Sequence, residues 1–330
     1  MDLKSRTHRD YTVGWVCALP KEQTAATAML DEIHVVIPKR PSDENTYTLG
    51  SIGSYNVVIA CLPKGIYGTN AAASVAARMV TSFPSIVFGL MVGIGGGVPH
   101  EDKVRLGDVV ASVPTDEYPA VVQWDMGKAE QGNVFKRTGE LKNPPDFLVS
   151  AITELEARNK IHGSKMPEYL DSLKEKWPRL TSEYLKSDNL KDVLYKADYN
   201  LNNKNGMEDG GKCCDETQTV KREPRDMRVH YGLVVSGNQV IKDASFRESV
   251  NRSLGDKVLC IEMEAAGLMD HFPCIVIRGI CDYADSHKNK EWQEYAAAVA
   301  AAFAKELLTC VNAAEVPQRR STGDIMASNL

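Results

Sequence analysis

Residues 258–287 read VLCIEMEAAGLMDHFPCIVIRGICDYADSH and contain one short apolar run between two acidic motifs. The run at 274–277 is bounded by polar residues, which is typical of a strand covered on both faces. Glu264 precedes this run and Asp282 follows it. Because ligands of α/β proteins bind at the carboxyl ends of parallel strands, we predict that Glu264 and Asp282 lie in one pocket.

The segments around this stretch alternate between the patterns of strands and helices. Strands are predicted at 11–19, 47–50, 56–62, 86–92, 106–112 and 230–237, and helices at 20–30, 71–82 and 292–308. The glycine-rich segment 93–97 is predicted to be a turn after its strand. Such an alternation is typical of layered α/β proteins.

The pattern changes at about residues 140–228. Helices are predicted at 146–161 and 168–196, and residues 198–226 are polar with almost no apolar periodicity. We interpret this segment as a surface insertion and not as an independent catalytic domain. A polar tail, residues 313–330, follows the last helix and is interpreted as a linker to a further domain.

The bulk composition limits the classes of function. Of 330 residues, 43% are hydrophobic and 25% are charged, which is close to the globular average. The net charge of -5 disfavours nucleic acid or an anionic membrane as the main partner. The sequence contains neither an 18-residue apolar span nor a signal-like N-terminus. We therefore expect a soluble cytoplasmic protein with reduced cysteines, and Cys213 and Cys214 lack zinc-site spacing.

Two motifs, IEMEA at 261–265 and IRGICDYAD at 277–285, resemble the superfamily of purine nucleoside phosphorylases and methylthioadenosine/adenosylhomocysteine nucleosidases. The chain is most similar to the fungal purine nucleosidases, a branch that also occurs as the N-terminal module of fungal NLR-type receptors. The resemblance covers roughly residues 11–140 and 229–311. It implies a three-layer αβα sandwich with a mixed central sheet, in one catalytic domain over residues 1–312.

The resemblance also implies roles for the acidic motifs. Asp282 would donate a proton to ring nitrogen seven of the purine, which requires a carboxyl group that holds its proton near neutral pH. Glu264 would bind both ribose hydroxyls, Met263 would cover the sugar and Glu262 would line the pocket wall. The alternatives are a capping carboxylate at a strand end for Asp282, an ordinary first-turn helix acid for Glu264 and a core methionine for Met263. Cys281 replaces the serine of the superfamily motif.

Glu22 is the third acidic residue with an implied role. The relatives carry glutamate at this place, where it would activate a water molecule; the alternative is an ordinary first-turn acid. The resemblance also implies that Gly95 and Gly96 approach the nucleoside closely. Phosphorylases place Arg and Ser or Thr in this region, where this chain has Met91 and Ile94. Because phosphate binding needs such donors, the sequence favours water as the nucleophile.

Val234, Val235 and Ser236 match the place where relatives stack an aromatic ring on the base, so we expect apolar contact there. No metal or organic cofactor is implied, and a homo-oligomer is expected. The sequence therefore predicts hydrolysis of purine ribonucleosides. Two alternatives remain: a phosphorylase that binds phosphate through Lys21, Lys64 or Arg105, and a nucleoside-sensing module of an NLR-type receptor.

Overall fold

A computed structural model describes residues 6–100, 103–115, 117–132, 134–199, 215–312, 316 and 321–323. The strands are β1 (Val13–Cys17), β2 (Glu32–Ile33), β3 (Tyr47–Ile52), β4 (Tyr55–Cys61), β5 (Phe88–Gly97), β6 (Val109–Ser112), β7 (Val121–Gln123), β8 (Gly127–Glu130), β9 (Val134–Arg137), β10 (Val229–Ser236), β11 (Val258–Glu262) and β12 (Cys274–Asp282). The α-helices are α1 (Pro20–Ala28), α2 (Thr69–Ser82), α3 (Asp146–His162), α4 (Met166–Lys176), α5 (Thr181–Tyr184), α6 (Ala244–Ser253) and α7 (Gln293–Leu308).

The central sheet is mixed. Its strand order is β11-β10-β6-β12-β5-β1-β4-β3-β2, and β7 pairs with β10. Strand β5 runs parallel to β1 and β12, whereas β12 runs antiparallel to β6. An additional antiparallel pairing joins β11 to β5. Five strands, β5, β12, β6, β10 and β11, therefore close into a ring, and the acidic motifs lie on this ring.

Helices cover both faces of the sheet, which confirms the predicted α/β architecture. The largest apolar cluster contains residues of α1, α3, α4 and α7 together with alternate side chains of β1, β5 and β12. A second cluster on the other face contains residues of α2 and the intervening side chains of the same strands. This burial explains the apolar run at 274–277, since all residues of β12 are buried.

Two local predictions were wrong. The glycine-rich segment 93–97 is not a turn, because β5 continues through Gly97 and pairs there with β12 and β11. The helix predicted at 168–196 is much shorter, because α4 ends at Lys176, and α5 is a short helix that ends at Tyr184. Pro178 accounts for this end, since proline disfavours helical conformation in the residue before it and lacks an N–H donor.

The insertion packs against the core. Helices α3, α4 and α5 contact α7, and the buried carboxylate of Glu306 in α7 accepts hydrogen bonds from Ser164 Oγ (2.8 Å) and the Lys165 N–H (2.6 Å). Cys213 and Cys214, and most of the tail at 313–330, lie outside the described residues. None of the described helices combines the length and the apolarity needed to cross a bilayer.

Candidate active site

A buried arginine lies at the centre of the predicted acidic residues. Arg278, in the middle of β12, forms ion pairs through Nη2 with Glu262 and with Glu264, the second at 3.4 Å. The Glu262 carboxylate also accepts hydrogen bonds from the backbone N–H groups of Glu264 and Ala265, at 3.0 to 3.1 Å. Glu262 ends β11, and Ala265 begins a 3₁₀ turn rather than an α-helix. The Glu262 carboxylate therefore fixes the backbone that carries Glu264.

Glu22, in the first turn of α1, lies close enough to the same arginine for the two charges to interact. One carboxylate oxygen accepts the N–H groups of Ala18 (2.7 Å) and Leu19 (2.9 Å), and the other accepts the N–H of Ile94 (2.8 Å). The Ile94 carbonyl faces Nη1 of Arg278 at 3.4 Å. Glu22 and Arg278 therefore hold the same residue of β5 from two sides.

The electrostatics of this cluster are dominated by burial. Burial raises the pKa of Glu264 to about 7 against the lowering effect of Arg278, and the charges of Glu262 and Glu22 raise it further. Burial likewise raises the pKa of Glu22, against the effect of Arg278 and of three backbone N–H groups. Burial acts to lower the pKa of Arg278, but the surrounding carboxylates outweigh it and raise that pKa. Three carboxylates thus surround one guanidinium, and the cluster has no excess positive charge.

Asp282 is buried at the end of β12. Its Oδ1 accepts a hydrogen bond from the Ala284 N–H (2.8 Å), while Oδ2 lies 3.0 Å from Lys288 Nζ and 3.1 Å from Cys281 Sγ. Burial acts to lower the pKa of Lys288, but the Asp282 carboxylate raises it overall. The carboxylate of the predicted proton donor is therefore paired with a lysine ammonium.

Strand β5 connects the arginine cluster to Asp282. Gly93 pairs with Arg278 in the sheet, and Gly96 pairs with both Asp282 and Ile261. A Cβ on Gly93 would overlap the Glu22 carboxylate, and a Cβ on Gly96 would lie 3.0 Å from Asp282 Oδ1. Glycine is required here because the protein's own acidic side chains pass close to the backbone.

Cys260 links the two groups in space. It lies beside Gly95, where an added Cβ would overlap its sulfur. Burial raises the pKa of the Cys260 thiol most strongly, and the charges of Arg278, Glu262, Asp282 and Lys288 also act on it. The arginine cluster and the Asp282–Lys288 pair therefore both lie near this thiol.

The residues predicted to contact the base lie on β10. Ser236 pairs with Glu262 in the sheet and accepts a hydrogen bond from the Ala266 N–H (3.0 Å). Val234 and Val235 are fully buried in two different apolar clusters, and Met263 is half-buried. The structure therefore places Ser236 beside the acidic motif and both valine side chains in packed surroundings.

Sequence reasoning gave no role to two residues of this site. Arg278 interrupts the apolar run of β12, and a charge at a fully covered strand position was a usable signal. Lys288 lies in the polar segment after β12, where its charge was indistinguishable from that of other loop lysines. Within the described residues, no group of three or more His, Cys, Asp or Glu side chains could hold a metal ion.

No family model matches the chain. It is 47% identical over 305 residues to a nucleotide-binding leucine-rich repeat (NLR)-like protein of Hyaloscypha variabilis, a match that covers 92% of this chain and 30% of that protein. It is 34% identical over 90 residues to a death domain-containing ATP nucleosidase of Amphimedon queenslandica, covering 25% of this chain and 17% of that protein. The chain thus spans less than a third of the length of these two relatives.

Two further similarities extend over nearly the whole of both chains. The chain is 23% identical over 302 residues to a 5′-methylthioadenosine/S-adenosylhomocysteine nucleosidase of Mycobacterium tuberculosis, covering 90% of this chain and 95% of that protein. It resembles the crystal structure of the corresponding Neisseria meningitidis nucleosidase in complex with methylthio-immucillin-A, with a TM-score of 0.58 at 17% identity, covering 90% and 98% of the two chains. The chain therefore shares the fold of a methylthioadenosine/adenosylhomocysteine nucleosidase, and its sequence is similar to nucleosidases and to an NLR-like protein.

Proposed function

We propose that this chain hydrolyses the N-glycosidic bond of purine ribonucleosides to free base and ribose. The observation that carries this proposal is the arrangement of Glu22, Glu262 and Glu264 around Arg278, with Asp282 at the end of the same strand. Two relatives, an ATP nucleosidase and a methylthioadenosine/adenosylhomocysteine nucleosidase, support the same bond as the target.

In this proposal Asp282 protonates the leaving base. A proton on ring nitrogen seven turns the purine into a neutral leaving group as the bond to the sugar breaks. Lys288 Nζ lies 3.0 Å from Oδ2 of Asp282. Its ammonium group gives a proton to the Asp282 carboxylate, which passes it to the base and leaves Lys288 as a neutral amine. A positioned general acid contributes roughly 100- to 10,000-fold in rate.

Glu264 and Glu22 act on the sugar and on water. A carboxylate accepts two hydrogen bonds from a vicinal diol, so Glu264 holds both ribose hydroxyls while positive charge develops on the sugar ring. Glu22 orients a water molecule and takes its proton. Burial raises the pKa of Glu22, which brings this carboxylate closer to the range in which a general base works at neutral pH.

The charges at the site disfavour a phosphorylase. A phosphate dianion needs cationic donors, and Arg278 is already paired with Glu262 and Glu264. Two of the alternative cations have partners elsewhere. Lys21 Nζ contacts Glu294 at 2.5 Å, and Arg105 Nη1 donates to the Glu223 carbonyl at 2.6 Å.

The test is an end-point panel of adenosine, guanosine, inosine, 5′-methylthioadenosine and ATP, each with and without phosphate. Chromatography of the liberated bases and sugars gives the readout. We expect free base and the corresponding free sugar (ribose, 5-methylthioribose or ribose 5-triphosphate) at equal rates in both buffers. The panel identifies the base and the tolerated 5′ group. Strict dependence on phosphate, with ribose 1-phosphate as the product, would overturn the proposal in favour of a phosphorylase.

The NLR-like relative favours a second candidate function. The chain corresponds to 30% of that protein's length, as expected for one module of a larger receptor. In this case the acidic residues bind a purine nucleoside without cleaving it. Calorimetry would then show saturable binding by the purified chain, and chromatography would show no free base after several hours.

A further inference from the structure

The loop that follows β12, residues 282–288, controls the orientation of Asp282. Both carboxylate oxygens of Asp282 contact groups of this loop, the Ala284 N–H and Lys288 Nζ. Ala284 has φ +51°, a left-handed conformation that is unfavourable for residues other than glycine. The loop therefore depends on outside contacts to keep this conformation, and the Asp282 carboxylate depends on the loop.

The insertion provides one such contact at Tyr283. The buried Tyr283 hydroxyl donates a hydrogen bond to Asp192 Oδ1 (2.5 Å). Arg222 Nη2 donates to the same oxygen (2.7 Å) and to the Tyr283 hydroxyl (2.9 Å), and the guanidinium carbon lies 5.3 Å from the centre of the tyrosine ring. These two residues from distant parts of the insertion hold one loop side chain.

A second contact lies at the other end of the loop. The His287 ring stacks on Tyr195 with a centroid distance of 3.9 Å and an interplanar angle of 16°. Tyr199 stacks on the same ring at 5.3 Å and 22°. The imidazole next to Lys288 is therefore packed against two aromatic rings of the insertion.

The contacting segments are themselves fixed. The Val220 N–H donates to the Leu194 carbonyl (2.8 Å), and the Lys196 N–H donates to the Gln218 carbonyl (3.0 Å), so the two segments pair as an antiparallel ribbon. On the opposite side, Arg247 of α6 donates to the Tyr283 carbonyl (2.6 Å). The loop lies between this ribbon and α6.

We propose that residues 192–199 and 215–222 form a clamp that positions Asp282 for proton transfer, with Asp192, Tyr195 and Arg222 as positioning residues. The insertion then contributes to catalysis without contacting the substrate. This inference rests on the proposed nucleosidase function for its kinetic readout, and on the geometry of the loop for its structural readout.

The kinetic test compares Tyr195→Leu and Asp192→Ala with the conservative variant Tyr195→Phe. We expect kcat to fall roughly 10- to 100-fold in the first two, since small misplacements of catalytic groups have effects of this size. KM should stay within about twofold, because the ribose-binding Glu264 is not on the clamped loop. Tyr195→Phe keeps the stacked ring and should keep kcat. The matched control is Lys174→Ala in α4, whose ammonium pairs with Asp171 on the surface.

The structural test does not need activity. Burial lowers the pKa of His287, so loss of the Tyr195 ring should raise it toward its ordinary value of 6.5, as followed by NMR. Amide exchange of residues 283–288 should also become faster. If Tyr195→Leu does not fold, Tyr283→Phe is used in its place, because this substitution removes only the clamped hydroxyl.

The outcomes separate the two proposals. An inactive wild type in which Tyr195→Leu loosens the loop refutes the nucleosidase function and supports the clamp. Unchanged loop exchange and an unchanged His287 titration refute the clamp. An active enzyme whose kcat is unaffected by a loosened loop refutes it as well.

Discussion

The proposed role of Glu264 in binding ribose predicts a pH dependence, because Glu264 is buried. Its carboxylate must be ionised to accept hydrogen bonds from both ribose hydroxyls, and burial raises its pKa to about 7. With this pKa, about 9% of the site is ionised at pH 6 and about 91% at pH 8. We therefore expect kcat/KM for a ribonucleoside to rise about tenfold between these values, since kcat/KM reports ionisations of the free enzyme.

The assay measures kcat/KM from pH 5.5 to 8.5 for the wild type and for Glu264→Gln. The glutamine variant should have a lower kcat/KM and should lack the acidic limb near pH 7. A 2′,3′-dideoxynucleoside, which lacks the bound hydroxyls, should lose the limb even with the wild type. Persistence of the limb in Glu264→Gln, or a flat wild-type profile between pH 6 and 8, would refute the assigned role.

The same shift has a consequence for stability. Folding raises the pKa of Glu264 from 4.5 to about 7. The resulting contribution of Glu264 to the free energy of unfolding is therefore fully present below about pH 4.5 and is lost as the pH rises through about 7. The loss is at most about 3 kcal/mol. Denaturant unfolding should show that the wild type loses stability relative to Glu264→Gln over this range, and a constant difference would contradict the shift.

Four other substitutions test the site. Asp282→Asn should reduce kcat at least about 100-fold with little change in KM, and near wild-type turnover would exclude Asp282 as the acid. Lys288→Met should lower kcat less than Asp282→Asn does, and Lys288→Arg should retain part of the wild-type kcat. An unchanged kcat in Lys288→Met would show that the lysine does not supply the proton. Glu22→Ala leaves three backbone N–H groups without their acceptor, one of them buried and two partly buried. It should therefore lower the free energy of unfolding by more than about 1 kcal/mol relative to Glu22→Gln, and equal stability of the two variants would contradict this. Gly93→Ala should destabilise the fold by about 1–3 kcal/mol in thermal melts, because its Cβ would overlap Glu22 and Arg278, and an unchanged melting temperature would show that these side chains can move aside.

Much of the fold could be predicted because the apolar runs are unambiguous. The run at 274–277 became β12, and the alanine-rich segment 292–308 became α7 almost without change. Residues 93–97 were wrongly predicted to be a turn, because glycine is typical of turns. In this strand glycine is needed because side chains from three other segments approach its backbone. Such an approach is a tertiary property that local sequence does not encode.

The candidate site was predictable only in part. The carboxylates at 22, 262, 264 and 282 follow from motifs, and the structure places the first three around one guanidinium. The roles of Arg278 and Lys288 depend on partners that come together only on folding. The contacts of Asp192 and Tyr195 with the loop were equally hidden, because nothing in their local sequence indicates which surface they cover.

The closed ring of five strands determines how stiff the frame of the site is. Each of these five strands, β5, β12, β6, β10 and β11, has a hydrogen-bonded neighbour on both sides. The ring therefore has no edge strand, whereas β2 lies at an edge of the sheet. Mobility near the acidic residues is therefore expected in the segments that leave the ring and not in its strands.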